Sequence, residues 1–205
     1  MFALQPSNDA PVTPGNGSLF IGQNRLGFFA PLAGRRPALV PFRSGKESHV
    51  VRIRQLIARA EAGSKDYDAV QYGAKVRPAK VPTAMTIAEI YDWIDATPGQ
   101  PHAIGRYQFI PKTLRALVKR LDIDPKTQFS PATQDLLADS LLADAGLDAA
   151  QKGDIGRHKF MKNLAKIWAG LPTSTGLSYY HGHAGNKATM TWADFEAEMI
   201  KIFPG

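Results

Sequence analysis

Residues 48–63 read SHVVRIRQLIARAEAG, and this stretch decides the fold of the chain. Ser48 is a candidate N-cap, and apolar residues recur at helical spacing as far as Ile57, so the stretch predicts an amphipathic helix that stops before Gly63. Glu61 lies in its last turn, near the apolar face. The C-terminal end of a helix carries partial negative charge, which disfavours an ionised carboxylate by roughly 0.3–1 kcal/mol. We therefore expect a raised pKa for Glu61, as a general acid at neutral pH requires.

Length and composition indicate a globular chain with one sizeable core. The chain has 205 residues, 44% of them hydrophobic, and its longest apolar stretches, such as residues 26–32, are far shorter than a membrane span. It contains no cysteine, so neither a disulfide framework nor a thiolate metal site is available. The N-terminus lacks the pattern of a signal peptide, so an exported protein would be already processed or use another route. The net charge of +7 indicates an anionic partner or a solvated basic face.

The chain divides into an arm and a domain. Residues 1–45 are rich in Pro, Gly, Asn and Ser without a sustained period, and they predict an N-terminal arm that its aromatic residues keep partly ordered. Residues 46–205 form the predicted domain, which is mostly helical. Between Ser64 and Pro82, tyrosines and valines stand among Gly, Lys and Pro, which predicts a short β-hairpin or irregular wing. The expected class is α+β, mainly helical, with a small β wing after Glu61.

Capping residues and helix breakers delimit the later helices. Thr86 and Glu89 form a predicted capping box, and Pro98-Gly99 ends that helix. The other predicted helices begin around Pro111, run from Ser130-Pro131 to Gly146, carry Phe160 to Trp168 before Gly170, and run from Thr191 to Phe203.

Three segments carry further motifs. The first is Glu61-Ala62-Gly63 with YDAVQYG at residues 67–73; the second is IGRYQFI at residues 104–110. The third runs from FSP at residues 129–131, with Gln134-Asp135, through GDI at 153–155 to IWAGLP at 167–172. Their order and spacing resemble the lysozyme superfamily, most closely the family of bacteriophage lambda lysozyme, which cleaves the glycan strands of peptidoglycan. The resemblance covers about Ser48 to Phe203 and leaves the arm unexplained.

The resemblance implies a lysozyme-like fold with a β wing beside an active-site cleft, and it assigns roles to individual residues. Residues 173–185 depart from the family pattern, because His181-Gly182-His183 has no counterpart there. The implied roles are catalytic acid for Glu61 and sugar-binding positions for Tyr67, Asp68, Gln108 and one of Tyr179 or Tyr180.

The second motif makes physical sense without the resemblance. Gly105 permits a positive φ or a crowded backbone, and Arg106 can form charge-assisted bonds that fix the loop to the domain. Tyr107 offers an aromatic face with a polar tip for substrate, or else it is a core residue like Phe109 after it. Gln108 offers donors and acceptors to hydroxyl or N-acetyl groups.

Asp66 and Asp68 are candidates for a second carboxylate, since a hydrolase needs a nucleophile or a base on the other face of the sugar. The lambda lysozyme family instead works with one Glu as acid and then base, while the C6 hydroxyl of the sugar closes a 1,6-anhydro ring. Asp68 would then bind substrate. His181 and His183 lack a third ligand nearby, so we expect no metal and no cofactor.

The predicted function is a muramidase that cleaves the β-1,4 bond between N-acetylmuramic acid and N-acetylglucosamine, with a hydrolytic or a lytic transglycosylase outcome. The alternatives are a binding or morphogenetic protein that kept the fold and lost the chemistry, and a nucleic-acid-binding domain, which only the charge favours. We expect peptidoglycan glycan strands as partner, no nucleic acid, a monomer, and action in the periplasm or cell wall after export or phage delivery.

Overall fold

The computed structural model describes residues 49–183 and 185–204, and these residues are mainly helical, as predicted. The predicted arm and the Ser48 N-cap lie outside the described residues. No helix in the described ranges is long and apolar enough to cross a membrane. The described α-helices are α1 (His49–Glu61), α2 (Ile87–Ala96), α3 (Pro111–Arg120), α4 (Pro131–Ala145), α5 (Leu147–Lys152), α6 (Arg157–Ala165) and α7 (Trp192–Ile202).

Helix α1 contributes one face to the hydrophobic core. Its apolar face, which includes Ile53, Leu56 and Ile57, is buried, and α1 packs against α4 and α7. Helix α4 in turn contacts α3, α5 and α6. Glu61, the last residue of α1, is therefore held at the surface of the core by neighbours from distant parts of the chain.

Local capping explains where the helices begin. Thr86 Oγ1 accepts the Glu89 N–H at 3.2 Å, and Glu89 Oε2 accepts the Thr86 N–H at 2.8 Å, so the predicted capping box is confirmed. Ser130 caps α4, with Pro131 in its first turn, and the helix ends at Gly146 with φ 92°.

One predicted helix boundary was wrong, and one helix was missed. Helix α6 ends at Ala165, so Ile167 and Trp168 are buried in the turn that follows it and not in the helix itself. The short helix α5 was not predicted. It has six residues, which are too few to show a periodic pattern, and it lies between Gly146 and Gly153, which both have positive φ.

The predicted β wing does not form a hairpin. Between residues 63 and 84 the chain forms two 3-10 helices, Gly63–Asp68 and Pro82–Ala84, joined by turns. The backbone groups of Val76 are bonded to side chains: Gln100 Oε1 accepts its N–H at 2.9 Å, and Trp93 Nε1 donates to its carbonyl at 2.9 Å. Val76 therefore has no backbone group left for a second hairpin strand.

Isolated β-bridges form in place of the predicted hairpin. Val70 pairs with Ile104, and Ile104 pairs with Phe109, both antiparallel. The Gln71 N–H donates to the Ala103 carbonyl at 2.8 Å. This contact joins the segment after Glu61 to the loop that carries the second motif.

Candidate active site

A cleft of about 570 Å³ opens beside the C-terminal end of α1. Five separate parts of the chain form its walls, and Glu61 is the acidic residue among the described residues that line it. The lining residues are Ala60–Ala62, Lys65, Ala69–Tyr72, Arg77, Ala103, Gln108, Ala169, Gly170, Gly185–Lys187 and Thr189.

Glu61 is held in a protein environment that favours its protonated form. The residue is partly exposed toward the cleft, and its Oε1 accepts a hydrogen bond from the Gly170 N–H at 2.8 Å. Burial raises the pKa of Glu61 to about 7, although the bond from Gly170 acts in the opposite direction. The raised pKa agrees with the prediction, but its main cause is desolvation and not the position of Glu61 at the end of a helix.

Gly170 approaches α1 so closely that a side chain would not fit. A Cβ atom on Gly170 would lie 2.5 Å from the carbonyl oxygen of Ala60 and 3.0 Å from Glu61 Oε1. The absence of a side chain is what allows the Gly170 N–H to reach the carboxyl group. In the sequence, this glycine indicated only the end of a helix.

Thr189 stabilises the close contact between Gly170 and α1 by bonding to the carbonyl groups of both segments. Its Oγ1 lies 2.9 Å from the Ala60 carbonyl oxygen and 3.2 Å from that of Gly170, and its N–H donates to the Gly170 carbonyl at 2.9 Å. One side chain therefore joins the end of α1, which carries Glu61, to the segment that carries Gly170.

Gln108 lines the cleft, on the turn that joins Ile104 to Phe109. Gly105 opens this turn with φ 79°, and Gln108 closes it with φ 46°, a region that non-glycine residues rarely occupy. The Gln108 Nε2 donates to the Gly105 carbonyl at 2.9 Å, which fixes the side chain. A Cβ on Gly105 would lie 2.4 Å from Gln134 Oε1, so the expected crowding at this glycine is confirmed.

Asp135 organises a polar network beneath the segment after Glu61. Its Oδ1 accepts hydrogen bonds from Tyr67 at 2.9 Å and from Tyr107 at 2.6 Å, and its Oδ2 accepts one from Arg54 at 2.9 Å. Arg54 also pairs with Asp139. The network joins α1, α4 and both motif segments by charged and neutral hydrogen bonds.

This network corrects the predicted role of Tyr107. Tyr107 is 1% exposed, and its hydroxyl group is bonded to Asp135, so it is a core residue and not a sugar contact. Tyr67 is partly exposed, but it too is bonded to Asp135 and lies outside the cleft lining. The Arg106 guanidinium lies 4.7 Å from the centre of the Tyr67 ring.

Neither candidate for a second carboxylate lines the cleft. Asp66 forms an ion pair with Arg106, whose Nη1 lies 2.6 and 2.7 Å from the two carboxylate oxygens. Asp68 Oδ1 accepts the Thr83 N–H at 2.9 Å and so holds the second 3-10 helix. Arg106 thus fixes its loop to the domain, as predicted, and both aspartates have structural partners.

The predicted tyrosine and histidine positions also lie outside the cleft lining. Tyr180 donates its hydroxyl to the Lys166 carbonyl at 2.5 Å, and Tyr179 is 42% exposed beside the Lys166 ammonium. His181 and His183 are exposed. Within the ranges that the structure describes, no cluster of three or more His, Asp or Glu side chains could hold a metal ion.

Several residues that line the cleft were not predicted from the sequence. Gln71 and Tyr72 belong to the first motif, and Tyr72 is 95% exposed, which is unusual for a tyrosine. Lys65, Arg77 and Lys187 carry positive charge into the lining. Nothing in the sequence distinguishes these three from other surface cations, because only the fold brings residue 187 near residue 65.

Comparison with known proteins agrees with an enzyme of the cell wall. The model of the Endolysin family matches residues 89–198, which is more than half of the chain. The match includes Gln108, Gly170 and Thr189 and begins after Glu61. No curated protein and no solved structure matches the chain. From the family match, the chain belongs to the endolysins, the phage enzymes that cleave peptidoglycan.

Proposed function

We propose that this endolysin is a lysozyme-like muramidase that cleaves the β-1,4 bond between N-acetylmuramic acid and N-acetylglucosamine, with Glu61 as the general acid. One observation carries the proposal: a carboxyl group with a pKa of about 7 lines a cleft and touches the Gly170 N–H. A general acid works best when its pKa lies near the working pH. The resemblance to the lambda lysozyme family points to the same residue.

The chemistry starts from the protonated carboxyl group. Glu61 donates its proton to the oxygen that links C1 of muramic acid to C4 of the next sugar, and the C1–O bond breaks. The positive charge that develops at C1 and the ring oxygen is neutralised when a nucleophile attacks C1. The Glu61 carboxylate left behind accepts the Gly170 N–H bond, which favours the ionised form and so stabilises this stage.

The nucleophile that we propose is the C6 hydroxyl group of the same muramic acid. Its oxygen attacks C1 and its proton returns to Glu61, so the product carries a 1,6-anhydro ring and the enzyme regains its acid form. The partners of Asp66 and Asp68 support this route, because both carboxylates are bonded to protein groups away from the cleft lining. A lytic transglycosylase of this kind needs a single carboxyl group.

Polar and aromatic residues of the walls would hold the strand. Gln71 and Gln108 present amide groups that suit sugar hydroxyl and N-acetyl groups. Tyr72 presents an exposed ring on which a sugar can pack. We assign these three residues to glycan binding.

Mass spectrometry of the fragments released from purified peptidoglycan tests the proposal. The wild type should release fragments that end in 1,6-anhydro-muramic acid, and Glu61→Gln should release none while it remains folded. The matched control is Asp95→Asn, which neutralises an exposed carboxylate of α2 outside the cleft lining and should cleave like the wild type.

Other products would change the assignment. Fragments with reducing muramic ends would overturn the transglycosylase route and require an activated water. Cleaved peptide bonds with intact glycan would overturn the muramidase assignment. Binding to peptidoglycan without any fragment from the wild type would favour the alternative of an inactive binding protein.

A further inference from the structure

Among the described residues, three cations and one carboxyl group line the cleft of Glu61. Lys65 follows Glu61 on the first 3-10 helix, Arg77 lies further along the same segment, and Lys187 comes from the loop before α7. All three are exposed, and none forms an ion pair with another described residue. Glu61 is the acidic residue among the described lining residues, and with a pKa of about 7 it is largely neutral below that pH.

Several cations outside the cleft form ion pairs with carboxylates of the protein. Arg54, Arg106, Arg115 and Arg120 each lie within 3 Å of a carboxylate oxygen, in ion pairs that join one element to another. The arginine at position 77 has no such structural partner among the described residues. Cations at the wall of a binding cleft that pair with no carboxylate in the described part of the chain suit a ligand that brings its own anions.

We propose that Lys65, Arg77 and Lys187 bind the carboxylates of the stem peptides, so that the enzyme prefers glycan strands that carry charged peptides over strands whose carboxylates are neutral. This proposal rests on the proposed function, because it assumes that the strand lies in this cleft. The stem peptides are a part of the substrate that the cleavage chemistry at Glu61 does not require.

The chemistry of the substrate explains why the anions must come from the peptides. The sugars of a strand are neutral, and the lactyl carboxyl group of muramic acid is consumed in the amide bond to the first amino acid. The remaining carboxylates belong to the stem peptides, which branch away from the glycan. Cations that bind them have to be exposed at the cleft wall, as Lys65, Arg77 and Lys187 are.

The three cations should raise the affinity for the strand moderately, and this gain should depend on the salt concentration. Exposed ion pairs contribute little each, so three of them should change the affinity by about tenfold in total at low ionic strength. The same contacts should be largely screened at high salt.

The experiment measures binding and cleavage separately. Sacculi that lack wall-linked phosphate polymers are acetylated at their amines, and half are then treated with carbodiimide and methylamine, which converts carboxylates to neutral amides. Binding is measured by co-sedimentation in the Glu61→Gln background, so no substrate is consumed. The test variant is Lys65→Gln/Arg77→Gln/Lys187→Gln, and the control is Lys112→Gln/Lys119→Gln/Lys126→Gln, which removes the same charge from exposed lysines outside the cleft lining.

We expect the Glu61→Gln protein to bind untreated sacculi about tenfold more tightly than amidated sacculi. The cleft variant should lose this factor on untreated sacculi and bind amidated sacculi unchanged, whereas the control variant should keep the preference. Thermal melting of each variant shows that it is folded. The proposal would be overturned if the Glu61→Gln protein bound untreated and amidated sacculi equally. It would also be overturned if the Lys65/Arg77/Lys187 variant kept the preference for untreated sacculi, or if the control variant lost it to the same extent.

The cleavage assay tests the muramidase assignment independently of the carboxylate site. Fragments from the wild type together with equal binding to both kinds of sacculi would overturn the carboxylate site and leave the muramidase assignment intact. A tenfold preference without any glycan fragment would uphold the carboxylate site and overturn the muramidase assignment.

Discussion

The Gly170 N–H donates to Oε1 of Glu61 at 2.8 Å, although 109 residues of chain separate the two. Two opposing influences meet at this carboxyl group. Burial favours the neutral form and the hydrogen bond favours the ionised form, and burial has the larger effect, so the pKa lies at about 7. A group in this state can give up a proton near neutral pH and still has a donor for the charge that results.

The pH dependence of activity should follow Glu61. Because the proton donor must be protonated, kcat/KM should be constant below the pKa and fall about tenfold for each pH unit above roughly pH 7. Initial rates on labelled sacculi between pH 5 and 9 measure this profile. A rate that stays flat to pH 9 would exclude Glu61 as the acid that limits the reaction.

Glu61→Gln should be more stable than the wild type at high pH. The folded pKa of about 7 lies above the ordinary value of 4.5, so the wild type binds more protons folded than unfolded between these two values and loses stability as the pH rises through them. The loss is complete above pH 7 and amounts to about 3 kcal/mol. Glutamine keeps an acceptor for Gly170 and has no proton to lose. Urea unfolding at pH 4.5 and pH 8 should show a difference that grows with pH, and a constant difference would contradict the burial of the carboxyl group.

Gly170→Ala should disrupt the site by pushing two backbones apart. The new methyl group would lie 2.5 Å from the Ala60 carbonyl oxygen, so the loop must move away, at a cost of roughly 1–3 kcal/mol in stability. A displacement near 1 Å can lower kcat about a hundredfold. Water that enters the gap should lower the pKa of Glu61, so the fall of the pH profile should begin below pH 7. Gly156→Ala is the matched control, because a Cβ there meets nothing within 4 Å and its φ is −69°.

Thr189→Val should act on Glu61 through Gly170. Valine keeps the shape of the side chain but loses the hydroxyl contacts with the carbonyl groups of Ala60 and Gly170. Stability should fall by roughly 1–3 kcal/mol. With burial preserved and the Gly170 bond weakened, the pH profile should shift upward, opposite to Gly170→Ala. Thr189→Ser should restore the wild-type profile, and a loss of stability without a shift would reduce Thr189 to a purely structural role.

Gly105→Ala and Gly153→Ala separate backbone strain from crowding. The φ values are 79° and 78°, so both substitutions carry the same left-handed strain of about 1–2 kcal/mol. Only at Gly105 would the methyl group also meet Gln134 Oε1 at 2.4 Å and Phe129 at 2.8 Å, whereas at Gly153 it meets nothing within 4 Å. Gly105→Ala should therefore lose a further 1–3 kcal/mol, roughly, in thermal unfolding. Equal losses would show that Gln134 can move without cost.

Features that depend on neighbours in sequence were predicted well. The capping box at Thr86 and the cap at Ser130 follow from residues within one turn of each other. The raised pKa of Glu61 was also predicted, but its main cause is burial and not the position of Glu61 at the end of a helix. The fixing of its loop by Arg106 was also predicted, since the guanidinium group forms strong charge-assisted bonds with carboxylates.

Features that depend on distant contacts were not predicted. Val70 pairs with Ile104 and not with a neighbouring strand. The backbone N–H and carbonyl of Val76 are bonded to the side chains of Gln100 and Trp93, so they do not pair in a hairpin. The prediction of Tyr107 as a sugar contact was wrong because its bond to Asp135, 28 residues away, leaves no local pattern. The position of Lys187 in the cleft depends on the packing of the whole domain.

The order of synthesis gives the contact between Gly170 and Glu61 a further meaning. A ribosome adds roughly 5–20 residues per second, so the 109 residues between the two partners take roughly 5–20 s to make. During that time Glu61 lacks the hydrogen bond from Gly170. The contact that the Gly170 N–H makes with Glu61 therefore forms only after residue 170 has been made and has folded onto α1. Under the proposed function, a copy truncated before Gly170 should not cleave peptidoglycan.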